Sequence, residues 1–384
     1  MQQILTHKPQ GRWFDFRAAT LGAAQLRGVS TFRIGLEVLL LGRGWGKLTS
    51  QEYFLEGAWQ PGLNWAQRRA FLGLRAGKAL NLSLQPPFTP ELRQKTQNKF
   101  AAASGFQAAG LAMPRRLGIV AAEDPGSGAE WLSSREALTD FLQRPGILPC
   151  FGKPVFGSTG RGAVSLIGLE PDGRIRLGNG QTVPLAALVQ EIWENHARGF
   201  LFEELQHPHP DLARMIGPVI GTLRVVTVHD GSAPEVLYTV QKMPGKAAMV
   251  DSSAGPLGGY AAIDAYSGRV LRLQDRRRLG GTLMEANHVT GAPMVGETLP
   301  DFDAALAAAR AAHATLPELG VLGIDMFLTD KGPVMTEVNS SPFHSVYQAA
   351  FARGLLNPDL LPKLQRVRER FRAITPRPKD GPLP

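Results

Sequence analysis

Residues 323–342 constrain this chain more than any other stretch. Two short apolar runs, Gly323–Leu328 and Pro333–Asn339, flank the turn formers Asp330, Lys331 and Gly332. Apolar runs punctuated this way make a β-hairpin. Its polar positions inside the strand pattern are Asp325, Glu337 and Asn339. Side chains repeat every second residue along a strand, so Glu337 and Asn339 share a face. A carboxylate on one strand, with a carboxylate and an amide on the other, can present three oxygens together. Such a set suits a hard divalent cation such as Mg2+, which takes few protein oxygens and completes its shell with phosphate and water.

The rest of the chain bounds this reading. Its 384 residues allow two or three domains, and 43% hydrophobic with 20% charged residues is the balance of a globular protein. The formal charge of +9 invites a nucleic-acid reading, yet the basic residues are scattered and the one tight cluster is Arg276, Arg277 and Arg278. No nucleic-acid reader motif accompanies them, so nucleic acid is not an expected partner. Cys150 stands alone, which rules out an internal disulfide and favours a reducing compartment. The N-terminus lacks a signal-peptide core, and the most apolar early run, residues 34–42, contains Glu37 and is too short to span a bilayer. A cytoplasmic protein without a transmembrane segment is expected. Peripheral membrane contact stays open, and a homodimer is the default assembly.

Along the chain, residues 1–88 show no clear period, with tryptophans at 13, 45, 59 and 65 that suit core packing or a lipid-linked substrate. Ser50–Leu55 reads as a helix start. Gln85–Pro90 is turn-prone, and Thr89-Pro90-Glu91 opens a helix through Lys99 that breaks near Ser104 and Gly105 or at Gly110. From 147 the pattern is a buried strand (147–156), a glycine-rich loop (Gly157, Ser158, Thr159, Gly160, Arg161, Gly162) and a returning strand (163–169). Phe200–Leu205, 221–228 and 235–242 are further strands, the last two β-branched as in an antiparallel sheet. Residues 301–316 form an amphipathic helix, and the basic tail after Leu361 carries a helix and ends in proline-rich coil.

Several of these features admit chemistry. Glycines and small hydroxyls let backbone N–H groups approach phosphate oxygens, and Lys153 and Arg161 would add positive charge. The loop is neither a Walker A sequence nor a dinucleotide fingerprint. Glu203 and Glu204 either mark a strand's exit to solvent or, with Leu205, line a nucleoside site at a linker. Arg224 lies mid-strand among β-branched residues, where a charge must be paired or face a cleft. Lys242 and Asp251 have similar status. His207, His209 and His288 lack zinc-ligand spacing.

In order, Lys99, Lys153, the glycine-rich loop, Glu203-Glu204, the Arg224 strand and the Asp325…Glu337-x-Asn339 hairpin resemble the ATP-grasp superfamily over residues 95–345. The stretch from Thr222 to Pro342 is similar to its sugar-transfer associated branch. Two positions depart from the pattern: Asn98 precedes Lys99 where an aspartate is usual, leaving Lys95 as a competitor, and Ser252 follows Asp251 where an asparagine is expected.

The resemblance implies an α+β ATP-grasp fold, two subdomains with ATP between them, after a largely helical N-terminal region. The boundaries would be 1–105, 106–206 with the glycine-rich lid, 207–360 with the hairpin, and 361–384. It implies that Lys99 and Lys153 contact phosphates under the 157–162 loop and that Glu203, Glu204 and Leu205 line the adenine pocket. Asp325, Glu337 and Asn339 would hold one or two Mg2+ ions, with Mn2+ as a substitute. Arg224, Lys153 and Asn339 would act catalytically, Arg224 on the transferring phosphoryl group. The implied activity is an ADP-forming carboxylate–amine ligase working through an acyl phosphate on small-molecule carboxylates and amines. An amino acid in polysaccharide or natural-product biosynthesis is one such substrate. The alternatives are an ATP-grasp phosphotransferase and a non-catalytic nucleotide-binding protein.

Overall fold

The computed structural model describes residues 4–5, 14–126, 128–157, 160–196, 198–245, 248–249, 258–275 and 283–374. Helices come first: α1 (Phe16–Arg27), α2 (Thr31–Arg43), α3 (Ser50–Leu55), α4 (Trp65–Arg69) and α5 (Leu74–Ser83). Their starts are capped by side chains: Asp15 accepts from the Ala18 N–H, Ser30 from Arg33, and Thr49 forms a capping box with Glu52. The sequence showed no period here because these helices are short and bury charge as well as apolar groups. Glu37, inside α2, accepts from Arg27 Nη1 and Nη2 at 2.7 and 2.9 Å and from the Tyr53 hydroxyl at 2.7 Å. Ile34, Phe54, Trp59 and Phe71 close around this pair. Among the tryptophans, Trp59 is buried, Trp45 and Trp65 are exposed, and Trp13 lies outside the described residues.

The single helix expected from Pro90 is two, α6 (Pro90–Gln97) and α7 (Lys99–Ala108). Asn98 leaves the helical region (φ −86°, ψ 101°) and accepts the Phe100 and Ala101 N–H groups, both at 3.1 Å. Asparagine offers the backbone this local alternative, so it breaks one helix and caps the next. The break places Lys99 in a first helical turn.

The first sheet contains β1 (Arg116–Val120), β2 (Glu130–Leu132), β3 (Cys150–Pro154), β4 (Val164–Leu169), β5 (Arg174–Leu177), β6 (Thr182–Pro184) and β7 (Phe200–Glu204). Its order is β2-β1-β7-β3-β4-β5-β6, antiparallel except for β1 with β2. The helices α8 (Arg135–Gln143) and α9 (Leu185–Asn195) pack Leu138, Phe141, Leu188 and Ile192 against Phe200, Phe202 and Val164. A short helix, α10 (Pro210–Ile216), leads to the second sheet.

That sheet is antiparallel: β8 (Leu223–Val228), β9 (Glu235–Met243), β10 (Gly259–Ile263), β11 (Val270–Asp275), β12 (Leu283–Met284), β13 (Val321–Thr329) and β14 (Gly332–Asn339), in the order β12-β11-β10-β9-β8-β13-β14. One face carries Leu223, Val225, Ile324 and Met326 and packs on α11 (Phe302–Ala314) through Leu306 and Ala309. The other face carries Val226, Val228, Tyr238 and Val240 and packs on α5, α12 (Ser345–Phe351) and α13 (Leu361–Ile374). Both faces are covered, which is why β8 and β13 read as continuous apolar runs rather than alternating ones. The basic helix expected after Leu361 is α13, and one side of it is core: Leu364, Val367 and Phe371 are buried with Leu80 and Leu84 of α5. Leu72 and α5 are thereby built into the second sheet's core, whereas Ala19, Ile34, Tyr53, Phe54 and Phe71 form a cluster of their own.

One buried acid sits at this junction. Glu56 accepts from Gln348 Nε2, and Gln348 also donates to the Leu72 carbonyl at 2.8 Å. Burial, helped by the nearby Glu52, pushes the Glu56 carboxyl up to about 8. A carboxyl whose folded pKa exceeds its unfolded one binds its proton more tightly in the folded state, so stability is lost as pH rises between the two. Glu56→Gln keeps the bond to Gln348 and removes that loss. The variant is expected to be more stable than wild type by roughly 1–3 kcal/mol at pH 8 and about equal at pH 4.5. Thermal melts at the two pH values check this, and an equal difference at both would refute it.

Candidate functional site

The β13–β14 hairpin pairs Asp325 with Glu337 and Gly323 with Asn339. Residues paired across antiparallel strands share a face, so Asp325, Glu337 and Asn339 project together. Register slips by one residue between Asp325 and Met326, leaving Thr336 as the extra residue, and its hydroxyl donates to the Asp325 carbonyl at 3.1 Å. On the next strand Arg224 pairs with Asp325, and Arg224 in turn pairs with Val240 of β9. Lys242, two residues beyond Val240, joins the same face.

Asp325 is buried and accepts from Arg224 Nε, from Arg224 Nη2 at 2.7 Å and from Lys242 Nζ at 3.1 Å. Burial works against its charge, but Arg224 and Lys242 outweigh that and hold the carboxyl well below the usual range. Burial likewise opposes the charge of Arg224, and Asp325 more than compensates. The sequence showed that Arg224 must be paired or face a cleft; the fold pairs it. Lys242, visible in the sequence only as a charge interrupting an apolar strand, is the second cation of the cluster.

Lys99 joins this face to the first sheet. Its Nζ donates to the Gly157 carbonyl at 2.8 Å and lies 3.8 Å from Glu337 Oε2. Burial lowers its pKa, with Glu337 and Glu203 opposing and Lys153 assisting. Its competitor Lys95 is exposed and pairs with Glu318 at 3.5 Å, away from these groups. On the first sheet, Lys153 of β3 reaches Glu203 Oε2 of β7 at 2.7 Å, both side chains nearly buried. Glu204 points elsewhere: its carboxylate is 3.5 Å from Arg115 Nε, and its N–H donates to the Arg115 carbonyl at 2.9 Å. Leu205 follows at the edge of the strand, half-buried.

The glycine-rich loop is built from left-handed backbone at Gly157 (φ 142°), Gly160 (φ 69°) and Gly162 (φ 77°), which only glycine adopts without strain. Arg161 is exposed, whereas Ser158 and Thr159 lie outside the described residues, as does Asp251. Among the described residues no three His, Cys, Asp or Glu side chains cluster to hold a metal. One buried chain of polar groups behind the site went unseen at the level of sequence: His344 bonds the Tyr238 hydroxyl at 3.0 Å and Asn81 Oδ1 at 2.8 Å. No local pattern marks it, because its three members come from α5, β9 and the loop before α12.

The hairpin's donors fit a hard divalent cation. A carboxylate offers about four lone-pair positions, and Asp325 uses three of them on Arg224 and Lys242. Among the described residues, the ion contact of Glu337 is the loose one with Lys99. Among the described residues the buried Asn339 Nδ2 has no hydrogen-bond partner, an orphaned donor on the face that Asp325 and Glu337 share.

Comparison with solved structures finds partial likenesses. They include an ADP complex of N5-carboxyaminoimidazole ribonucleotide synthetase (17% identity, 66% of this chain and 47% of that one, TM-score 0.38). A D-Ala:D-Ser ligase from Enterococcus faecalis follows (14%, 72% and 61%, TM-score 0.40). An L-amino acid ligase from Bacillus licheniformis is the third (15%, 77% and 52%, TM-score 0.41). The chain spans about half to three-fifths of the length of these proteins. No curated protein matches it in sequence. The sequence profile of the sugar-transfer associated ATP-grasp family matches residues 85–367, from the turn before α6 into α13, and so takes in both sheets, the glycine-rich loop and the hairpin. The chain belongs to the sugar-transfer associated ATP-grasp family, with its two-sheet α+β fold set behind a helical N-terminal region.

Proposed function

We propose that this protein is an ATP- and Mg2+-dependent, ADP-forming ligase that joins a small carboxylate to an amine through an acyl phosphate. The observation that supports it most is the shared face of Arg224, Lys242, Asp325, Glu337 and Asn339, with Lys99 linking that face to Lys153 and Glu203. On this reading Glu337, Asn339 and the remaining position of Asp325 hold the cation. When bound, it neutralises phosphate oxygens so that a carboxylate can attack the γ-phosphoryl group. Lys99 and Lys153 add positive charge along the phosphates, under a loop of Gly157, Ser158, Thr159, Gly160, Arg161 and Gly162 that excludes water. The strand end at Glu203, Glu204 and Leu205 receives the nucleoside. Arg224, fixed by Asp325 on two of its nitrogens, stabilises charge developing on the transferring group. No protein nucleophile is needed. The boundaries 1–105, 106–206, 207–360 and 361–384 then separate a substrate-contributing region, a lid-bearing subdomain, a metal-bearing subdomain and a tail.

The test is ADP release from Mg2+-ATP with carboxylates alone, and then with carboxylates paired with amines. Ligation requires both substrates for steady ADP release, and hydroxylamine should trap the activated carboxylate. A stable phosphorylated product formed without amine would make the protein a phosphotransferase. Failure to bind ATP at millimolar Mg2+ would overturn the reading altogether.

A further inference from the structure

The feature that this site leaves unexplained is the outer face of α2. At 100° per residue, Ile34, Glu37, Val38 and Leu41 point to one side, and all are buried or half-buried. Phe32, Leu36, Leu39 and Leu40 point to the opposite side and are 79%, 40%, 46% and 45% exposed. A surface helix ordinarily puts polar groups there. A contiguous exposed apolar stripe marks a surface that something else covers.

The charges around the stripe indicate what covers it. Arg33, whose Nε also reaches Glu37 at 3.2 Å, and Arg43 flank it, and Trp45 and Lys47 follow directly after the helix, all four exposed. The one acid of α2, Glu37, is buried beneath Arg27. Across residues 14–83 the well-exposed acid is Asp15, which caps α1, against exposed Arg17, Arg33, Arg43, Lys47, Arg69 and Arg75. An apolar stripe flanked mainly by basic residues matches an anionic lipid surface, where apolar side chains enter the headgroup boundary and cations meet phosphates. A second copy of the chain is a poorer occupant, since a two-fold contact would set the same basic rims against each other. The contact is peripheral, because among the described residues no helix is long and apolar enough to cross a membrane. We propose that the outer face of α2 docks the protein on anionic membrane, with Phe32, Leu36, Leu39 and Leu40 inserted and Arg33, Arg43 and Lys47 on the headgroups.

The experiment is flotation of the full chain with phosphatidylcholine vesicles, with and without phosphatidylglycerol. Flotation is expected only with phosphatidylglycerol, and it should weaken as salt is added. Leu36→Asp/Leu39→Asp should lower vesicle affinity at least about tenfold, since each leucine gives up its apolar burial in the lipid. Arg33→Gln/Arg43→Gln should lower it while leaving the apolar stripe intact. Both variants change exposed positions, so circular dichroism and ATP binding should match wild type. The proposal is overturned if wild type does not float, or if Leu36→Asp/Leu39→Asp floats equally well. It is also overturned if wild type is a dimer by light scattering that this variant converts to monomer.

Discussion

Replacing Glu337 with alanine is expected to remove ATP turnover while leaving the fold intact. Its side chain is 32% exposed and its one ion contact, with Lys99 at 3.8 Å, is loose. Loose, partly exposed pairs of that kind contribute about 0–1 kcal/mol, so the melting temperature should hardly change. Function should respond very differently, because Glu337 is the hairpin carboxylate held less tightly by protein cations than Asp325. Losing one preorganised electrostatic group typically costs about 10²–10³ in kcat. ADP release at saturating Mg2+-ATP measures this, and a titration of Mg2+ should show weaker metal dependence in the variant. Turnover within a few-fold of wild type would remove the hairpin from the chemistry.

Asp325→Ala is expected to do the reverse in part, damaging stability as much as activity. Removing this carboxylate leaves Arg224 without its partner in a buried cluster and takes one contact from Lys242. Breaking a buried pair from one side costs about 3–5 kcal/mol, because the remaining charge is uncompensated. Replacing Arg224 and Asp325 together with leucine should restore much of that stability, since apolar pairs often match buried ion pairs. Activity should not return with it. Denaturant melts of the single and double variants, set beside ADP release, separate the two effects; a single variant as stable as wild type would show that the cluster is not a buried ion pair. The pH dependence follows from the same cluster. The folded pKa of Asp325 lies below its unfolded 3.8, so its contribution is fully present above that value and is lost as pH falls toward the folded one. Wild type should therefore lose stability on acidification below about pH 4 more steeply than Asp325→Asn.

Much of this was legible in the primary structure because strands and caps are local. The hairpin, the strands on either side of the glycine-rich loop and the helix at residues 301–316 follow from side-chain period and turn residues within a few positions. Their observed counterparts are β13–β14, β3–β4 and α11. Other features were hidden for equally physical reasons. Asn98 ends α6 by an Asx-type bond that competes with the helix, and a period of apolar residues carries no trace of it. The helices of residues 16–83 enclose Glu37, Arg27 and Arg68, and burying charges erased the apolar pattern that would have revealed them.

The sequence alone determined which oxygens would stand together on the hairpin, because a β-turn and a two-residue period leave little freedom. It also determined that Lys153 would lie inside a strand before a glycine-rich loop. Only the tertiary structure decided which cations those oxygens meet. Arg224 and Lys242 reach Asp325 through strand pairings 101 and 83 residues apart in the chain, and Lys99 rather than Lys95 enters because Asn98 turns the helix there. Pairing across a sheet depends on register between distant segments, and no local periodicity encodes that.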